Sequence, residues 1–167
     1  MATKLASKST IMGEIINLES EEKQNKATVE ALYEALAQGQ KETVAGLIGS
    51  DLEWWFHGPP RCQYMMRMLT GEAGPAGFRF EPRSITAIGG CSSVIVEGWE
   101  GAQAYWVHVW TLKGGVITQF REYFNTWLIV RDLRPPRWEI SQENLTLWRS
   151  MPRDLFRRSL PSLLLAI

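Results

Sequence analysis

A chain of 167 residues that is 45% hydrophobic and carries eight tryptophans is sized for one domain with its own core, needing no disulfide or metal to fold. Eighteen basic and eighteen acidic side chains cancel, so no net field draws the chain to nucleic acid or to a membrane surface. Two cysteines, Cys62 and Cys91, and two histidines, His57 and His108, lack metal-ligand spacing, so neither a metal site nor a cofactor is expected. The charge is uneven along the chain. Residues 1–60 carry five lysines against nine acids, a net −4, and residues 131–167 carry seven arginines against four acids, a net +3. The basic tail reads first as a solvated face and second as a partner surface.

Residues 1–24 show no sustained apolar period and read as a flexible arm or frayed helix ahead of a single domain over 25–167, with a C-terminal extension from about 132. Val29, Leu32, Tyr33 and Leu36 then follow the i, i+3, i+4, i+7 rule of a helix that Gly39 stops. Val44, Leu47 and Ile48 mark a shorter helix ending at Gly49. Asp51 is expected to start a strand that Pro59 and Pro60 end. In that strand Leu52, Trp54 and Phe56 point one way, and Glu53, Trp55 and His57 the other.

A third helix is expected from about Arg61, with Met65, Met68 and Leu69 on one face and a stop at Gly71. From Phe78 the pattern becomes four long strands rich in β-branched and aromatic residues, punctuated by Gly89-Gly90, Glu100-Gly101 and Gly114-Gly115. The order reads as an α+β fold in which helices cover the concave face of a curved, mostly antiparallel sheet and enclose a cone. In QAYWVHVWTL, Tyr105, Val107 and Val109 face one side and Trp106, His108 and Trp110 the other. Both faces are apolar, so both need cover. Helices supply one cover, and a homodimer built through Trp106, His108 and Trp110 is the expected second.

The stretch YEALAQGQKETVAGLIGSDLEWWFHGPP, with GGVITQFREYFNTWLIV later, resembles the nuclear-transport-factor-2-like, or SnoaL-like, α+β cone over roughly residues 27–131. Within that superfamily, DLEWWFHGPP and the ending SLPSLLLAI are similar to the plant wound-induced, or senescence-associated, protein family. The resemblance implies a cone with an interior pocket, commonly a sheet-to-sheet homodimer, and a setting in plant stress. Enzymes of this fold work with carboxylates inside the cone. Glu53, Glu97 and Glu122 are the strand acids available here, and Glu122 with His108 is the pair to consider for catalysis. Related cyclases tend to place the working Asp where this chain has Asn125, and an isomerase base would fall near Trp55. An amide does not exchange protons near neutral pH and an indole only donates, so the resemblance favours a binding protein over an isomerase, cyclase or hydrolase.

The expected ligand is small and hydrophobic. Its candidate contacts are Tyr33, Trp55, His57, Met65, Tyr105, Glu122, Tyr123 and Asn125. Parity separates Glu122 from Tyr123 and Asn125, and sequence leaves open which set lines the cone. Each histidine alone is more commonly a hydrogen-bonded structural group than a catalytic one. No apolar run approaches the length of a membrane span and no secretion signal is recognisable, so the cytoplasm, with the nucleus as alternative, is the expected location.

Overall fold

A computed structural model describes residues 2–72, 78–100, 104–125, 129–130, 147–149 and 164–166. Helix α1, Ala2–Gln38, is followed by α2, Lys41–Leu47, strand β1, Ile48–His57, and α3, Tyr64–Leu69. Four strands follow: β2, Pro82–Ile88; β3, Ser93–Glu100; β4, Ala104–Lys113; and β5, Val116–Phe124. Three short strands, β6 (Ile129–Val130), β7 (Leu147–Arg149) and β8 (Leu164–Ala166), form a separate sheet in the order β6-β8-β7. The stretch expected as an arm or frayed helix is the first half of α1.

Helix α1 ends because Gly39 takes φ 67, a left-handed conformation that glycine adopts without a Cβ penalty. The Gln40 N–H then reaches back to the Ala35 carbonyl at 2.9 Å, and the Gly39 N–H to that of Leu36 at 3.2 Å, which is the Schellman pattern. Gly114 and Gly115, at φ 60 and 79, make the two-residue turn between β4 and β5.

The large sheet runs β1-β5-β4-β3-β2. Neighbours from β2 to β5 pair antiparallel, as the hairpin signals predict. The first strand differs from expectation in two ways. It starts at Ile48 instead of Asp51, with Gly49 inside it, and it pairs parallel to β5. A Cβ at Gly49 would lie 3.2 Å from the Ile117 carbonyl oxygen, so glycine there serves close strand approach and not a helix stop. The third helix starts at Tyr64, and residues 78–81 lead into β2 without joining it.

The core lies between the helices and one face of the sheet. Val29, Leu32 and Tyr33 of α1, Val44 of α2 and Met65 of α3 pack on Val94, Val96, Trp106, Trp110, Phe120 and Phe124. Trp110 stacks on Phe120 with centroids 4.1 Å apart and planes 12° from parallel. Such a pair contributes about 1 kcal/mol beyond its buried area. The opposite face carries a second buried cluster of Ile88, Ile95, Tyr105, Val107, Val109 and Tyr123. Both sides of β4 are therefore dry within one chain, which matches its doubly apolar sequence.

Candidate functional site

Strand pleating decides which residues meet inside the cone. On β4 and β5, Trp106, His108, Trp110, Phe120, Glu122 and Phe124 share the helix-facing side, and His108 sits opposite Glu122 in the ladder. Helix α1 brings Tyr33 onto the same spot. The Tyr33 hydroxyl lies 2.6 Å from His108 Nδ1 and accepts a hydrogen bond from Trp110 Nε1 at 3.1 Å. His108 Nε2 lies 3.4 Å from Glu122 Oε1.

This geometry assigns the tautomer. An indole N–H only donates, so the Tyr33 oxygen is its acceptor. The phenol proton then goes to His108 Nδ1, because it has no other acceptor. The imidazole hydrogen therefore sits on Nε2 and faces Glu122. Burial pushes the Tyr33 phenol well above the ordinary tyrosine range, the Trp110 hydrogen bond opposes this, and the negative charge of Glu122 adds to it. The phenol is thus a neutral donor. Burial also lowers the pKa of His108, against the hydrogen bond and charge of Glu122.

His108 and Glu122 have no exposed surface. At 3.4 Å their contact is too long for a good N–H···O bond, and both Glu122 oxygens lack a hydrogen-bond donor. The Trp54 indole N–H, on the same inner side of β1, is also buried without a partner. Leaving a buried polar group unpaired costs about 1–3 kcal/mol. Chemically, a carboxyl–imidazole–phenol chain can relay a proton, provided that one end meets a substrate.

The cleft lies elsewhere. A cavity of about 1020 Å³ opens between the C-terminal end of α1, α2, the start of β1, α3 and residues 78–81. Its wall is mainly apolar, with Leu36, Val44, Leu52, Met68, Leu69 and Phe80 among the lining residues, and Lys41, Arg79 and Glu81 are its charged members. Phe80 lines it on one side and packs its other side on His108, with ring centroids 4.8 Å apart. It thus separates the cleft from the Tyr33–His108–Glu122 set.

The structure splits the residues picked from sequence. Tyr33, Met65 and Glu122 lie on the interior side with His108, but none of them lines the cleft. Trp55, His57, Tyr105 and Tyr123 lie on the opposite face. There Arg121 sits 4.7 Å above the Trp55 ring, His57 stacks on Tyr123 at 5.0 Å, and the Tyr105 hydroxyl donates to Glu97 at 2.9 Å. Asn125 follows β5 in a left-handed turn, φ 46, and its side-chain oxygen accepts from the Tyr105 N–H at 2.8 Å. That conformation suits asparagine and explains the residue without a ligand. Assigning Trp106, His108 and Trp110 to a dimer face needs correction. Each is 0% exposed within one chain, because their side of β4 is the one the helices cover. Sequence reading missed Phe80 and the cleft residues Leu36, Val44 and Leu52. The signal was present in the short apolar stripe of α2 facing the end of α1. Among the described residues, no cluster of His, Cys, Asp or Glu could hold a metal, and no helix is long and apolar enough to cross a membrane.

The buried histidines give a pH signature. His108 and His57 both have lowered pKa values, His57 through burial first and the Arg121 charge second. A lowered folded-state value means that the unfolded chain binds the proton more readily. This stability is complete above the ordinary value of 6.5 and is lost as pH falls below it. The urea midpoint is expected to drop from about pH 7.5 to about pH 5. His108→Gln is expected to flatten that drop more than His57→Gln, since His57 is half-buried. An unchanged slope in His108→Gln would assign the drop to other groups.

The chain matches the family model described as Wound-induced protein WI12 over residues 66–167. It is 39% identical over 109 residues to Wound-induced protein 1 of Solanum tuberosum, covering 61% of this chain and 100% of that protein. It is 47% identical over 68 residues to Senescence associated gene 20 of Arabidopsis thaliana, covering 39% of this chain and 60% of that relative, less than two thirds of its length. Among solved structures, Bal32a from a soil-derived mobile gene cassette superposes with a TM-score of 0.50 at 20% identity, over 62% of this chain and 91% of that one. That likeness shows the fold, the nuclear-transport-factor-2-like cone.

Proposed function

Because the chain belongs to the wound-induced protein WI12 family, we propose that it is a non-catalytic binding protein of plant wound and senescence responses that holds a small apolar ligand in its cleft. One observation carries this reading. The cleft wall is mainly apolar, and Phe80 keeps it apart from the buried proton-relay residues. A cleft of this kind binds by excluding water, with a few polar groups at its edge to orient the ligand. Lys41 and Arg79 favour a ligand whose polar end is anionic.

Decanoic acid is a suitable probe for isothermal titration. Ala45 is an exposed residue lining the cleft, so Ala45→Trp fills the space without disturbing the core. The substitution is expected to weaken binding by about tenfold or more, the effect of losing on the order of 1.4 kcal/mol of contact. Equal binding by both proteins would remove the cleft from the account.

A second reading, an isomerase, cyclase or hydrolase of a small hydrophobic substrate, is favoured by the unpartnered Glu122 oxygens beside His108. It requires Phe80 to move so that a substrate meets Glu122.

A further inference from the structure

Helix α1 overhangs the sheet. It passes the β2–β3 turn at Glu21, which accepts a hydrogen bond from Ser92 Oγ at 3.2 Å. It passes the β4–β5 turn near Gln24, whose Nε2 would lie 3.7 Å from a Cβ at Gly115. The helix N-terminal to Glu21 extends roughly 28 Å at 1.5 Å per residue.

This overhang carries most of the apolar surface left open. Of the six exposed large hydrophobics among the described residues, five lie here: Ile11 at 52%, Met12 at 61%, Ile15 at 46%, Ile16 at 61% and Leu18 at 47%. At about 100° per residue they occupy one stripe, in line with the Val29, Leu32 and Leu36 stripe that seals the cone. A single amphipathic helix of this length is marginal in water unless its apolar face is packed.

We propose that this stripe is an interface between two copies of the chain, whose α1 helices pair antiparallel. The order of charge selects the partner and the direction. Positions 2–10 of the helix carry two lysines, at 4 and 8, and no acid, whereas Glu14, Glu19, Glu21 and Glu22 follow. Antiparallel pairing centred at Gly13 and Glu14 puts position 8 of one helix level with position 19 of the other. It also sets Ile11 level with Ile16, and Met12 level with Ile15. The basic end then lies along the acidic stretch, twice, by symmetry. Parallel pairing would set like charges together. A Cβ at Gly13 would meet nothing within 4 Å, so the centre of the stripe is open to a close crossing.

Mass measurement by light scattering on the full chain at tens of micromolar tests this, with circular dichroism and decanoic acid binding as controls of fold. The wild type is expected to be a dimer. Ile15→Glu with Ile16→Glu, both at exposed positions, is expected to give a folded monomer that still binds the probe. Lys8→Glu is expected to raise the dimer dissociation constant by about tenfold, since each charge pair occurs twice, and Glu19→Lys added to it is expected to restore pairing. A monomeric wild type overturns the proposal, as does a dimer that the Ile15→Glu, Ile16→Glu protein retains. A monomer that binds anionic phospholipid vesicles through this stripe overturns it in favour of a lipid surface.

Discussion

Gly98→Ala is expected to destabilise the protein by about 3 kcal/mol, the upper end of the usual range for overpacking a core. Gly98 on β3 pairs with Trp106 on β4. A Cβ there would run into the indole Cε2 and Cζ2 of Trp106 and come within 2.8 Å of the Glu81 carbonyl oxygen. The indole has nowhere to go. Trp106 is 0% exposed, with Phe80 edge-on at 4.9 Å, His108 at 4.5 Å and Tyr33 stacked at 6.0 Å. For a chain of this size the melting temperature falls by about 6–12 °C. Trp106→Phe shortens the ring that meets the new methyl. The double variant is therefore expected to lose less stability than the sum of the two single losses, by about 1 kcal/mol or more in urea unfolding. A Gly98→Ala protein within about 0.5 kcal/mol of wild type would show that this packing is mistaken.

Tyr33→Phe tests the buried polar set and is expected to cost about 3 kcal/mol, although it removes a single oxygen. The ring keeps its place, so no large cavity forms. What changes is hydrogen bonding. The Trp110 N–H loses its acceptor and His108 Nδ1 its donor, both fully buried. Two orphaned groups, each costing about 1–3 kcal/mol, account for the size of the loss. Tyr33 does not line the cleft, so decanoic acid binding is expected to persist in the folded variant. A Tyr33→Phe protein as stable as wild type would show that the phenol does not bridge these two groups.

The alternation in β4 was legible to the residue, because side-chain period in a strand is fixed by geometry. Which face met the helices was not. Trp106 and Tyr105 are equally apolar choices, and the deciding contact comes from Tyr33, 73 residues before Trp106. The dimer assignment failed at that step. The parallel pairing of β1 with β5 was hidden for a related reason: a ladder between strands so far apart leaves no local signal, whereas hairpin turns do. In the first half of α1, Ile11, Ile15 and Leu18 do keep helical spacing, as do Met12 and Ile16. The adjacent apolar pairs and Gly13 blurred that stripe. The cleft escaped notice because it is a space between ends of elements, and its lining residues look like ordinary core on each element alone.

The most direct test of the central claim is titration of decanoic acid into Glu122→Gln and Ala45→Trp proteins side by side, both checked for folding. A cleft separated from the buried relay predicts that Glu122→Gln binds as wild type does, while Ala45→Trp loses most of its affinity. The reverse pattern, with affinity lost in Glu122→Gln and kept in Ala45→Trp, would contradict the account and place the ligand against the Glu122 carboxyl.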